Sequence, residues 1–394
     1  MSLPPGSAAK RLPRRILLVG NYEPDEQQSM QRYSRWLLHA LRAKGCTVVL
    51  IRPVPFVSRL ARGPFRRPAV VKYLGYFDKF FFFPKQLKAA ARSFDLVHIC
   101  DHSNSMYVSA TGGVPTVITC HDVLAIRSAQ GEFPINRTGW SGRWLQSWIL
   151  RGLRRAAHVI CVSAKTAEDL QRLTGDPGKR NPDKNVRVIF NPLNWPYKPQ
   201  PKMPEQLLQR LALRPDAPYF LHVGGNQWYK NRAAVLRIFR ELAVKPEFAA
   251  SKLVMAGKPL PANLAALLDE SGLRDRVISV TGTTNDELEA LYSHALALVF
   301  PSLEEGFGWP IAEAQACGCP VAVTGRPPMT EVAGDAAIFF DPADAAGAAE
   351  AICQGLAQRE SLREAGFRNL ARFSEDKIVS EYLAFYADIY NVEN

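Results

Sequence analysis

Short apolar runs separated by amphipathic stretches recur along the whole chain, and that alternation is the strongest limit on how it folds. Strands are predicted at Ile16–Val19, Val48–Ile51, Leu96–Ile99, Thr116–Thr119, His158–Val162 and Arg187–Ile189 in the first half. They are predicted again at Tyr219–Val223, Leu253–Ala256, Val277–Val280, Ala297–Phe300, Pro320–Val323 and Ala337–Phe340. Helical periodicity lies between them, at Ser29–Lys44, Ser141–Ala157 and Glu375–Tyr390 among others. Strands that read as continuous apolar runs between helices belong to parallel sheets covered on both faces. The fold class is therefore α/β and doubly wound.

Between the two series, Asn191-Pro192-Leu193-Asn194-Trp195-Pro196-Tyr197-Lys198-Pro199 breaks all periodicity and reads as an interdomain linker. A chain of 394 residues, 47% of them apolar, exceeds one ordinary core, which agrees with two domains. Residues 1–14, rich in Pro, Lys and Arg, read as a disordered leader. The seven cysteines are scattered, several of them in predicted strands, which fits a reducing compartment. No apolar run approaches the ~20 residues of a membrane span. The net charge of +12 is uneven: residues 1–200 carry 31 Lys and Arg against 12 Asp and Glu.

The most informative local string is Pro301-Ser302-Leu303-Glu304-Glu305-Gly306-Phe307-Gly308-Trp309-Pro310-Ile311-Ala312-Glu313, continuing to Gly318-Cys319-Pro320-Val321. It follows an apolar strand, turns on glycines and opens a helix, with proline expected at its first position. Free N–H groups and the positive end of the helix dipole suit a diphosphate there. Each piece also has an ordinary reading, a dipole-stabilised Glu and a Gly-Phe-Gly turn. The whole string resembles the two-glutamate signature of glycosyltransferase family 4, retaining nucleotide-sugar enzymes of the GT-B fold.

The resemblance implies two Rossmann-like domains facing a cleft, with an acceptor domain at 15–193 and a nucleotide-sugar domain at 194–374. It also implies a C-terminal helix, 375–394, that packs back on the first domain. In the family the second glutamate, here Glu313, holds the ribose hydroxyls. The first, Glu305, contacts the transferred sugar, and the Gly306-Phe307-Gly308 backbone lies against the donor. A second strand-turn-helix, Leu221 to Arg232, includes Gly225 and Asn226 and matches the family's phosphate-binding basic pair at Lys230. Tyr229 replaces the usual arginine, so Arg232 is the candidate second cation; two basic residues at a helix start can also be merely solvated. His121 in Thr119-Cys120-His121-Asp122 resembles the family's histidine that faces the donor sugar; a strand-end histidine bonded to backbone is the ordinary alternative. Where the family has a glycine loop before Arg-Tyr, this chain has Gln28 and Ser29 before Arg32-Tyr33.

The chain has no Asp-x-Asp pair and no His-Glu-x-x-His spacing. No metal and no cofactor are expected, and Lys230, Arg232 and the helix dipole would stabilise the departing nucleoside diphosphate. The segment Arg52–Arg92 holds ten Lys and Arg and one acid, Asp78, among Phe56, Phe65, Tyr73, Tyr76, Phe77 and Phe80–Phe83. Contact with an anionic membrane, a nucleic-acid backbone, or core phenylalanines with solvated charges all fit that composition. The expected function is retaining transfer of a sugar from a nucleoside-diphosphate sugar to a glycan or lipid-linked acceptor, in the cytoplasm at the inner face of the plasma membrane, with no nucleic-acid partner. Rivals are another GT-B enzyme, such as an epimerase or phosphorylase, or a non-catalytic binding protein.

Overall fold

The computed structural model describes residues 11–25, 27–57, 68–175 and 185–393. The chain divides into two compact units, Met1–Val162 with Thr166–Phe190 and Glu375–Asn394, and Ser163–Lys165 with Asn191–Ser374.

In the first unit the strands are β1 Arg15–Val19, β2 Thr47–Ile51, β3 Leu96–Ile99, β4 Thr116–Cys120, β5 His158–Cys161 and β6 Asn185–Val188. They pair in parallel in the order β2-β1-β3-β4-β5-β6. Side chains alternate across a strand, so β1 feeds two cores. Leu17 and Val19 pack with Ile99, Ile118, Leu150 and Leu170 on one face. Ile16 and Leu18 face the other, against Tyr33, Leu37 and Leu41 of the helix Gln28–Ala43. That second face is completed by Ile378, Tyr382, Phe385 and Ile389 of the helix Glu375–Glu393. A polar seam fixes this contact: the Tyr33 hydroxyl is hydrogen-bonded to Tyr382 OH at 2.6 Å and to Thr119 Oγ1 at 2.9 Å. His98 lies in the same seam, bonded to Thr119 Oγ1 at 2.7 Å and to Tyr386 OH.

From Pro68 on, the basic, aromatic segment is helical, as Pro68–Phe77, a π turn at Asp78–Phe82 and Phe83–Ala91. Asp78 is buried and accepts hydrogen bonds from the Val57 N–H at 2.7 Å and from Tyr22 OH at 3.3 Å. Phe83 enters the core, whereas Phe77, Phe81 and Phe82 are exposed. Phe65 lies outside the described residues. Of the leader, residues 1–10 also lie outside them, while the Arg11 N–H donates to Asn391 Oδ1 and the Arg14 N–H to Asp95.

The second unit repeats the architecture with β7 Tyr219–Gly224, β8 Lys252–Gly257, β9 Val277–Thr281, β10 Leu298–Phe300, β11 Val321–Thr324 and β12 Ile338–Phe340. The order is β12-β11-β10-β7-β8-β9, again all parallel. Successive strands step outward from β7 through β8 to β9, and then restart on its other side with β10. The order therefore reverses between β7 and β10, and the crevice beyond the carboxyl ends at such a switch point is where open α/β sheets bind ligands. Gly257 makes the close approach beside it possible: its φ is +143°, and a Cβ there would sit 2.1 Å from the Gly224 carbonyl oxygen.

Candidate active site

At the end of β7 the chain makes a short 3-10 turn, Trp228–Lys230, then Asn231 at φ 50° starts the helix Arg232–Ala243. At the end of β10 the loop Pro301–Gly308 leads into the helix Trp309–Ala316, which opens at Trp309, so Pro310 takes the second position rather than the first. Gly308 precedes it at φ 97°, a left-handed conformation in which a side chain would be strained. Neither helix has a side-chain cap on its first N–H groups. Two uncapped helix starts thus flank one switch point. The loops are tied together by the Leu303 N–H donating to the Tyr229 carbonyl at 2.8 Å and by Asn231 Nδ2 donating to the Pro301 carbonyl at 3.2 Å.

Across this junction Lys230 Nζ meets Glu305 Oε1 at 2.6 Å, both side chains largely buried. The ammonium also stands over the rings of Phe300 and Tyr229, at 5.2 and 5.7 Å. Arg232 is buried, 4% exposed, with no carboxylate partner among the described residues. One guanidinium nitrogen donates to Asn226 Oδ1 and to the Lys258 carbonyl at 3.0 Å. Its Nε and other terminal nitrogen have no partner. Burial lowers the Arg232 pKa, though a guanidinium remains charged. Asn226 is exposed and also donates to the Pro259 carbonyl, while a Cβ on the neighbouring Gly225 would run into the Gln227 side chain. Phe307 is buried, its ring edge-on to Trp309 and Phe373.

Glu313 lies a turn deeper, buried, with Oε1 accepting from Asn194 Nδ2 at 3.0 Å and Oε2 from Tyr292 OH at 2.9 Å. A carboxylate offers about four acceptor positions. Beneath the glycines of β7, His222 donates through Nδ1 to the Val299 carbonyl at 3.0 Å, and burial pushes its pKa down to about 3. The neutral ring leaves Nε2 without a partner.

His121 belongs to the first unit, just past β4. It is buried, and Nε2–H donates to the Cys100 carbonyl at 3.0 Å, which leaves Nδ1 as an unpartnered acceptor. Burial lowers its pKa despite Asp101 nearby, so the ring is neutral at pH 7. The switch point of that sheet lies between β1 and β3. There Asn21 donates to Asp101, and Asp101 Oδ1 stands 3.1 Å from His102 Nδ1. Burial alone would lower the His102 pKa; neighbouring Cys120 and Asp101 reverse that and raise it to about 10. Gln28 and Ser29 are exposed in the first turn of their helix, and Glu26 is outside the described residues.

Two family models match this chain: Glycosyltransferase Family 4 over residues 30–195 and Glycosyl transferases group 1 over residues 204–369, together most of its length. The chain belongs to glycosyltransferase family 4. It is similar to O-antigen chain mannosyltransferase B of Escherichia coli, 29% identical over 261 residues, which is 65% of either protein. The chain thus spans less than two thirds of that relative's length. Among solved structures it resembles sucrose-phosphate synthase from Thermosynechococcus elongatus, at a TM-score of 0.71 and 19% identity over 96% of this chain and 99% of the other. It also resembles Anabaena Alr3699/HepE in complex with UDP-glucose, at a TM-score of 0.67 and 17% identity over 94% and 99%. These likenesses, with the two six-stranded parallel sheets, establish the GT-B fold.

For a family 4 chain, the structure gathers Lys230, Glu305, Arg232, Gly225, Asn226 and Gly306–Gly308 around the β7/β10 junction. Sequence reasoning missed Asn194 and Tyr292, the two donors to Glu313. It also missed His222 and the Asn21–Asp101–His102 cluster. The last had a signal, Asp101 and His102, with one residue between them and the end of strand β3.

Proposed function

We propose that this family 4 chain is a retaining glycosyltransferase that moves a sugar from a nucleoside-diphosphate sugar to a hydroxyl of a glycan or lipid-linked acceptor without a metal ion. The observation that carries the reading is the buried Arg232 guanidinium with two unpaired nitrogens beside uncapped helix starts. A buried cation without a carboxylate is a strong anion receptor. Lys230, held by Glu305, supplies a second positive charge, and Glu313 supplies acceptors for the ribose diol. These cations and the helix dipoles would stabilise the nucleoside diphosphate as it leaves.

In the transfer step, the acceptor oxygen bonds to the anomeric carbon on the face from which the phosphate oxygen departs. The proton of the acceptor hydroxyl passes to that phosphate oxygen. Glu305 orients the sugar, and in the first unit the neutral His121 keeps Nδ1 as a hydrogen-bond acceptor. The same reading places the basic segment Arg52–Arg92 toward the anionic surface of a membrane that carries the acceptor. Support comes from the exposed Phe77, Phe81 and Phe82.

Calorimetry with nucleoside diphosphates, followed by turnover of mannosyl and glucosyl nucleotides with chelator present, tests the proposal. Micromolar binding lost in Arg232→Ala and Lys230→Ala supports it. Absence of any nucleotide binding by the native protein overturns it.

A further inference from the structure

Between Glu132 and Glu168 the chain has no carboxylate, yet it carries Arg137, Arg143, Arg151, Arg154 and Arg155. All five are exposed, and among the described residues none forms an ion pair. The helix Trp140–Arg155 also presents Trp140 and Trp144, 84% and 62% exposed, with Trp148 a further turn along. The three tryptophans are spaced by four, so they form one stripe that runs on to Arg151 and Arg155.

The stripe is joined to a second one. Trp148 packs on Phe80, ring centroids 4.7 Å apart, and on Trp144 at 5.5 Å. Phe80 belongs to the helical run where Phe77 and Phe81 stack at 5.4 Å, and Lys85 and Lys88 continue that face. Phe81 and Phe82 are 63% and 52% exposed. Beside the first stripe, Trp148, Arg151 and Arg155 border a pocket of about 100 Å³ that Met106, Val108 and Ser109 also line. Large aromatic rings left in water beside unpaired cations are unusual on a soluble face, and they match the chemistry of a bilayer surface.

We infer that the face shared by the helix Trp140–Arg155 and the run Phe77–Lys88 seats on an anionic lipid bilayer, with the rings at headgroup depth and Arg151 and Arg155 on lipid phosphates. The inference rests on the membrane reading above and moves its centre from Arg52–Arg92 to a helix far along the chain. Charge complementarity selects the occupant, because five arginines with no acid favour a phosphate-bearing surface over an apolar partner.

The test is co-sedimentation of the full chain with vesicles of phosphatidylcholine alone and of phosphatidylcholine mixed with phosphatidylglycerol. Binding is expected only to the mixed vesicles and weakens with salt. Trp140→Ser/Trp144→Ser lowers the partition coefficient about tenfold, and Arg151→Gln/Arg155→Gln lowers it roughly thirtyfold. Phe81→Ser, on the other stripe, checks the same face independently, and circular dichroism and nucleoside diphosphate affinity stay unchanged in all three. The inference is overturned if native protein ignores mixed vesicles, or if the variants bind them as well as the native chain. It is equally overturned by tighter binding to single-stranded RNA than to vesicles, or by a dimer that Trp140→Ser/Trp144→Ser dissociates. Vesicle binding without nucleotide binding would sink the transferase reading and leave this one standing.

Discussion

At Arg232 a single side chain states the demand of the site. A guanidinium held from water without a counter-charge weakens the empty fold and strengthens the filled one. Arg232→Leu is therefore expected to raise the melting temperature of the ligand-free protein. At the same time it should weaken nucleoside diphosphate binding by roughly 10- to 100-fold, the worth of a charge-assisted hydrogen bond or two. A lower melting temperature with unchanged affinity would mean the arginine is only structural. Glu313 makes the opposite case, since its neighbours already engage it. Glu313→Gln turns one accepting oxygen into a donor facing either Asn194 Nδ2 or Tyr292 OH. The expected result is about 1 to 3 kcal/mol of lost stability, measured by urea denaturation, together with lost donor affinity. Intact turnover in that variant would exclude Glu313 from the site.

Elements were far more readable from sequence than contacts. All twelve strands lie within two residues of the apolar runs that announced them, because most are buried on both faces and have few polar residues to blur their ends, whereas β6, with Asn185 and Arg187, starts two residues early. The strand-turn-helix units carrying Lys230, Arg232, Glu305 and Glu313 were visible for the same reason. Asn194 and Tyr292 were not. They reach Glu313 from a proline-rich connection and from the helix Asn285–His294, and nothing local in either segment marks a partner more than twenty residues away. The π turn at Asp78–Phe82 was equally hidden, as was the bond from the Val57 N–H to the buried Asp78 carboxylate at its start. One glycine tests how tightly the elements are drawn together. Gly257→Ala must push β8 away from the Gly224 carbonyl, and a loss of several kcal/mol is expected by denaturant titration, above the usual range for a surface change. Near-native stability would show that the β7 end yields freely.

For the molecule as a whole, buried histidines set the response to acid. Burial pushes both His98 and His222 down to about 3, against about 6.5 unfolded. Their folded states favour the neutral ring, so the stability they contribute is present above pH 6.5 and is lost as pH falls from there toward 3. Each contributes up to about 1.4 kcal/mol per pH unit over that window. His102 acts in the other direction. Raised to about 10, it contributes stability that is complete below pH 6.5 and declines as pH climbs. Denaturation midpoints are expected to peak near pH 6 to 7, and His98→Gln should flatten the acid limb by about one proton. An unchanged acid limb would assign the proton uptake elsewhere.

The helix Glu375–Glu393 has a consequence for how the protein comes into being. It fills the face of the first sheet with Ile378, Tyr382 and Phe385, yet the ribosome makes it only after the entire second unit. The earliest strands therefore wait, one side uncovered, for the arrival of residues synthesised hundreds of positions later. Any message cut short before codon 375 yields a chain with Ile16, Leu18 and Leu96 open to solvent, a substrate for chaperones and proteases instead of a half-enzyme.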